Sequence, residues 1–344
     1  MKKLFALCVV LFVVLGTFTA CGSQEKDSAK DTPKSEDAKT DTTGEEKTGP
    51  IKIGIIQHVD HPSLNQIRET IISELEALGY GKDKVEIIFQ NANGDMTLLP
   101  TIMQSMLGND VAMLIPIATP TAQAAMASTT SVPIVFSAVS NPVEAGLVTA
   151  FDATTGNISG VSNSIPVEDI FALALDITPE VKTFGFVYNT NEINSVTGIE
   201  RAKEYCDLKG IAYKEATITS TADLQQAASS LVNEVDAFFT PNDNMVASAM
   251  PTYLQVAMDA KLPIYVGADS MVKDGGLATV GIDYTVLGKQ TAAMVIRLLE
   301  GKTIAENPVE QIAEYAKMIN MNTANQLGLA ISEELKSEFV ILGE

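Results

Sequence analysis

The feature that most constrains this 344-residue chain is that its sequence occurs twice. "KIGIIQ" (52–57) returns as "TFGFVYN" (183–189), with Gly54 opposite Gly185, and helix-ending Gly79 returns as Gly210; both glycine pairs are 131 residues apart. "DVAMLIPIATPTAQAAM" (110–126) matches "VDAFFTPNDNMVASAM" (235–250), and "VPIVFSAVSNPVEAGLV" (132–148) matches "LPIYVGADSMVKDGGLA" (262–278). In the second match Pro133, Ile134, Ala138 and Ser140 stand opposite Pro263, Ile264, Ala268 and Ser270, and "SGVS" (159–162) then pairs with "VGID" (280–283). Matches in one order at a slowly drifting offset indicate a duplicated unit, far longer than the 20–50 residues typical of a solenoid.

Within each copy, short apolar runs alternate with amphipathic stretches. "IKIGIIQ", "KVEIIFQNA", "DVAMLIPI" and "VPIVFSAV" read as buried strands; "LNQIRETIISELEALGY", "DMTLLPTIMQSMLG" and "TPTAQAAMAST" read as helices between them. Strands alternating with helices of this length predict βαβ units and a parallel sheet. The expected fold is therefore α/β, with two similar doubly wound lobes joined by a hinge. Lobe one is predicted to span 51–161 plus about 285–319, and lobe two 162–284 plus about 320–344. Crossings are expected near 160–166, 281–285 and 318–324, and ligands of such sheets bind outside the carboxyl ends of the strands, here in the crevice between lobes.

The first fifty residues fall outside the repeat. Lys2 and Lys3 precede an apolar run from Leu4 to Leu15, the pattern of a secretory signal, 1–20. That run is short of the roughly 20 residues a membrane span needs. Phe18-Thr19-Ala20-Cys21-Gly22 resembles a bacterial lipobox, with Phe18 where an aliphatic residue is usual, so Cys21 is expected to carry lipid. Residues 22–50, almost wholly Lys, Asp, Glu, Thr, Ser and Gly, cannot bury enough surface to offset their ordering entropy and are expected to form a tether. The expected location is the outer face of the cytoplasmic membrane.

Composition excludes several function classes. A net charge of −20 argues against a nucleic-acid partner, which needs a cationic face. Of Cys8, Cys21 and Cys206, only the last lies in the folded part, at an apolar helical position in "AKEYCDLKG", and reads as a core thiol. There is no phosphate loop, no G-x-S-x-G and no zinc-spaced cysteine set, so neither catalysis nor a cofactor or metal is expected. His58 and His61 in "QHVDHP" read as turn or cleft-lining residues rather than metal ligands.

Candidate ligand contacts sit at strand ends: Gln57, Thr119, Gln123, Phe136 and Ser140 in the first copy, and Tyr188, Asn194, Ser195, Asp243, Asn244 and Asp269 in the second. Thr119-Pro120 reads as an N-cap followed by proline, opening a helix whose free N–H groups attract a carboxylate. Asn194 or Ser195 in "NTNEINSVTG" can open another such helix. Asp243 and Asp269 are acids able to pair with an ammonium group in a closed cleft, where unpaired charge is costly.

From Ile51 to Gly328 the chain resembles the substrate-binding lipoproteins of ABC importers, in the tryptophan/tyrosine-type branch. The strings that carry the resemblance are "IGIIQHVDHPSLN", "QNANGD", "IATPTAQA", "FSAVSNPVEAGLV", "YNTNEINS", "TPNDNMVAS" and "VGIDYTVLG". The resemblance implies a type I periplasmic-binding-protein fold, a monomer, an ABC permease as partner and a free aromatic amino acid between the lobes. On that pattern Thr119 and Gln123, with Asn194 and Ser195, hold the α-carboxylate; Asp243 and Asp269 take the ammonium; Gln57, Phe136 and Tyr188 frame the side chain. Branched-chain amino acids, nucleosides and sugars are alternative ligands, sugars disfavoured by the absence of Trp. A ligand-presenting sensor is the alternative role.

Overall fold

The computed structural model describes residues 49–154 and 156–343. The expected signal, Cys21 and nearly all of the tether lie outside the described residues. No described helix is long and apolar enough to cross a membrane.

The first copy contributes strands β1 (Ile51–Gln57), β2 (Val85–Asn91), β3 (Met113–Ile117), β4 (Ile134–Val139) and β5 (Ile158–Ser162). The second contributes β6 (Thr183–Asn189), β7 (Ala212–Ile218), β8 (Ala237–Thr240), β9 (Ile264–Val266) and β10 (Ala278–Ile282). Both sets are parallel and share one order, β2-β1-β3-β4-β5 and β7-β6-β8-β9-β10. The duplication seen in the sequence is thus a duplication of topology. The central strands are buried throughout because helices cover both faces, which is why "MLIPI" and "IVFSAV" read as unbroken apolar runs.

The chain crosses between lobes three times. After β5 it passes through 163–166 into α-helix Val167–Ile177, which packs on the second sheet. After β10, Asp283 leads into helix Tyr284–Leu299, which returns to pack against β4, β5 and the first helix, Pro62–Ala77. The tail then adds β11 (Glu310–Gln311) to the first sheet, beside β5, and β12 (Tyr315–Asn320) and β13 (Val340–Leu342) to the second. The third crossing therefore lies at 312–314, not 318–324. β12 runs antiparallel to β10, between it and the short outer strand β13, and its first half is solvated, so the periodicity of "YAKMIN" is not that of a fully buried strand.

Local rules explain the repeated glycines. Gly79 and Gly210 follow the helix between the first two strands of each repeat at φ +88° and +69°, a conformation that costs glycine least. Gly160 and Gly281 sit within β5 and β10, where a β-carbon would fall 2.1 Å from the Phe136 carbonyl oxygen and 2.5 Å from that of Gly267. Lobe two is filled by aromatic rings: Phe171 lies 4.7 Å from Phe184 and 4.8 Å from Phe239, centroid to centroid. Such tilted pairs add roughly 0.5–1.5 kcal/mol each beyond area burial.

Candidate functional site: a closed polar cleft between the lobes

The carboxyl ends of both sheets meet face to face, and the seam is polar and buried. From lobe one it receives His58, His61, Ser63, Thr119 and Ser140; from lobe two Glu192, Asn194, Ser195, Asn242, Asp243, Asn244 and Ser270. Several hydrogen bonds cross it directly. Asn242 Nδ2 donates to Ser140 Oγ (2.9 Å), His61 Nε2 meets Asn244 Oδ1 (3.4 Å), and the Ser63 and Ser270 hydroxyls are bonded to each other. At the rim, Thr197 Oγ1 donates to Glu144 (2.5 Å). The lobes are shut on one another.

Glu192 is the centre of this seam. It precedes helix Ile193–Lys209, but its side chain does not cap that helix. Instead Asn189 Nδ2 and Asn194 Nδ2 each donate to it at 3.2 Å, Asn244 Nδ2 donates as well, and His58 Nε2 lies 3.8 Å away. It is 1 % exposed. Among the described residues no lysine or arginine is within ion-pair distance of it. Burial pushes its pKa up, and the three amide donors pull it back. A desolvated carboxylate with neutral donors and no fixed cation is costly, and an ammonium group would satisfy it.

The two histidines are held neutral. Burial lowers both to a pKa of about 4, against the pull of Asp243 on His58 and of Asn244 on His61. Their Nδ1 atoms have no hydrogen-bond partner. Neither have Thr119 Oγ1, Asn194 Oδ1 and Asn242 Oδ1, so most of the buried polar atoms left unpaired among the described residues gather at this seam. Native interiors pair nearly all such atoms, so a cluster of exceptions marks where a ligand's polar groups fit. Among the described residues no group of three or more His, Cys, Asp or Glu is arranged to hold a metal.

Several expected contacts are engaged elsewhere. Asp243 is a cap: its carboxylate accepts from Val246 N (2.9 Å) and Asn189 N (2.6 Å), both in its own lobe, and burial with the nearby Glu192 charge raises its pKa to about 7. Asp269 already has an ammonium partner, Lys273 Nζ at 2.6 Å, one helical turn on. Gln57 uses both ends of its amide within lobe one, donating to Val59 O and Asn65 and accepting from Arg68. Gln123 donates to Ala145 O at 3.1 Å. Phe136 belongs to the lobe-one core and covers Gly160. Tyr188 donates its hydroxyl to Glu215, and burial, helped by that carboxylate, raises its pKa to about 12. Thr119 is not the cap of its helix; Ala118 takes that place at φ +84°, freeing the Thr119 hydroxyl. Ser140, Asn194 and Asn244 do reach the seam, Ser140 bonded there to Asn242 and the other two to Glu192; Ser195 adjoins Asn194, and Thr119 is buried at the start of its helix in lobe one.

Glu192 was not among the expected residues, because a glutamate in a polar loop carries no mark of burial. The repeat offers the missing signal: counted at the 131-residue offset, Glu192 is the counterpart of His61, and both precede the helix that follows the first strand of their repeat.

Two repeated α/β lobes shut over a polar seam define a two-lobed binding protein. The chain belongs to the ABC transporter substrate binding protein family, which matches residues 52–339. It is 34% identical, over 95% of its length and 93% of the relative's, to a tyrosine-binding protein of Clostridioides difficile strain R20291. An ABC domain from Streptococcus pneumoniae in complex with L-Trp is 34% identical, with a TM-score of 0.83 over 86% of this chain and 100% of the other. A ligand-free, open substrate binding protein with adhesive properties from Clostridium difficile is 33% identical and scores 0.66 over 85% and 99%. Identity is nearly equal in these two, so the difference reflects shape, and the closed seam described above agrees with it.

Proposed function

We propose that this substrate-binding protein captures a free aromatic amino acid outside the cell and delivers it to an ABC permease, held to the membrane by lipid on Cys21. The observation that carries the reading is Glu192: a buried carboxylate in the seam, surrounded by amides and neutral imidazoles, with no lysine or arginine partner among the described residues. An α-ammonium group supplies that cation. The ligand's carboxylate then falls to unpaired or backbone donors, of which the Thr119 hydroxyl and the first turn of its helix are the candidates. Closure over the ring contributes roughly 1.5–3 kcal/mol for a Phe-sized side chain. The ligands in the names of the two relatives, tyrosine and L-Trp, support the aromatic preference. The signal-like start and the lipobox-like string at Cys21 support export and anchoring.

Isothermal titration of the protein lacking residues 1–48 against the twenty amino acids tests this. Micromolar or tighter binding of Trp, Tyr or Phe is expected, and silence toward all three overturns the aromatic reading. Replacing Cys21 by Ala is expected to release the protein from membranes into the medium.

A further inference from the structure

We propose that the cavity at the mouth of the cleft receives the ligand's side chain, and that His58 is the specificity-determining residue that accepts a hydrogen bond from a donor on its ring. The inference rests on the amino-acid reading above. The cavity has a volume of about 350 Å³ and is lined from both lobes, by His58, Asn93 and Met96 on one side and Asn189, Thr219 and Met245 on the other. That is within the roughly 300–1,000 Å³ usual for small-molecule sites.

Its position follows from Glu192. Two of its lining residues touch that carboxylate: Asn189 Nδ2 at 3.2 Å and His58 Nε2 at 3.8 Å. An amino acid whose ammonium lies against Glu192 therefore has this cavity within reach of its side chain. The lining is mixed. Met96 and Met245 offer polarizable thioethers, which pack well against aromatic rings. The amides and the imidazole are wrong for an unadorned hydrocarbon and suited to a ring bearing a polar hydrogen.

His58 gives that preference a direction. It is 1 % exposed and its Nδ1 has no hydrogen-bond partner among the described residues. A neutral imidazole has one N–H and one lone pair. With Nε2 facing a carboxylate, we assign the proton to Nε2, which leaves Nδ1 as an acceptor. A phenol hydroxyl or an indole N–H can donate to it. A phenyl ring cannot, and a buried acceptor left unsatisfied weakens binding. Sites built to hydrogen-bond a ligand group discriminate strongly against analogues lacking it.

The test is titration of the unmodified protein with Tyr, Trp, Phe and O-methyltyrosine, which fills similar space but has no ring donor. Tyr and Trp are expected to bind at least tenfold tighter than Phe and O-methyltyrosine. His58→Leu should weaken Tyr and Trp at least tenfold more than it weakens Phe, with a thermal melt of the variant reporting an intact fold. Met245→Ala should weaken all four in parallel. Equal binding of Tyr, Phe and O-methyltyrosine by the unmodified protein overturns this inference and leaves the amino-acid reading standing, as does discrimination that survives His58→Leu. Silence toward every amino acid overturns both.

Discussion

His61 and Glu192 hold equivalent places in the two repeats and are joined across the cleft through one side chain, Asn244. His61 Nε2 meets Asn244 Oδ1 at 3.4 Å, and Asn244 Nδ2 donates to Glu192. Each residue immediately precedes the helix that follows the first strand of its repeat. Duplication thus brought two copies of one loop face to face, and divergence made one a neutral base and the other an acid. Lobe two supplies a buried carboxylate at this point, and among the described residues no lysine or arginine lies within ion-pair distance of it.

Removing the acid should separate affinity from stability. Glu192→Gln keeps the shape but cannot pair with an ammonium group. Binding of the preferred amino acid is expected to fall at least about thirtyfold, since losing one partner of a buried charge pair costs about 2–5 kcal/mol. The ligand-free protein should melt at the same temperature or higher, because an uncompensated buried charge has been removed. Calorimetric titration and a thermal melt check the two halves.

The acids expected to bind ligand should behave as structural residues. Asp243→Ala removes the cap of helix Asn244–Ser248 and a bond to Asn189 N, and is expected to lower unfolding free energy by about 1–2 kcal/mol. Asp269→Ala breaks a bond to a half-exposed lysine and should shift ligand affinity less than about threefold, within the ≤1 kcal/mol typical of such pairs. Urea unfolding and titration distinguish these from ligand contacts, whose loss would change affinity more than stability.

Ligand capture should weaken in acid. His58 and His61 have pKa values of about 4 in the closed seam, against an ordinary 6.5. Opening that wets the imidazoles returns them toward the ordinary value, so closure must expel their protons once the pH is below it. The closed state keeps its full stability above pH 6.5 and loses it as pH falls from 6.5 toward 4. At about pH 5.5 the loss is about tenfold per histidine. Of the groups facing them, Glu192 and Asp243 from lobe two have raised pKa values and take up protons on closure, which opposes the trend, while Asp60 on the histidines' own loop attracts a proton to His61. An ammonium on Glu192 keeps that acid ionised, so the histidines dominate in the complex. Titrations from pH 7.5 to about 5 with the double variant His58→Gln/His61→Gln check this: the variant should show the flatter profile.

Gly160→Ala should be strongly destabilising. Its β-carbon would stand 2.1 Å from the Phe136 carbonyl oxygen, so β4 or β5 must move. Overpacking typically costs about 1–3 kcal/mol, and backbone leaves little room to yield. Gly301→Ala, at φ +95° with open space around it, should cost less. Chemical unfolding of the two variants gives the comparison.

The lobes were legible because a parallel sheet demands long apolar runs, and those runs recur in order with Gly54, Gly79 and Gly160 reappearing as Gly185, Gly210 and Gly281. β12 was harder to see, because its first half is solvated and it joins the sheet from the far end of the chain. At the site, sequence located the strand ends but not which polar side chains stay unpaired. Asp243 and Glu192 are both acids beside asparagines at a strand-to-helix turn. What separates them is the backbone N–H groups each one meets, and these depend on φ and ψ, not on residue type.

The three crossings also set a schedule for folding. The first sheet is bordered by β11 and covered by helix Tyr284–Leu299, and the second is completed by β12 and β13. Neither lobe can finish from an uninterrupted stretch of chain, since each waits for segments beyond residue 283. The late contact of Pro62–Ala77 with Tyr284–Leu299 spans more than 200 residues, and such long-range contacts form slowly. For a chain exported as proposed, the delay keeps the polypeptide threadable until most of it has crossed the membrane. It also means that the hinge cannot be severed at one point to give two autonomous halves.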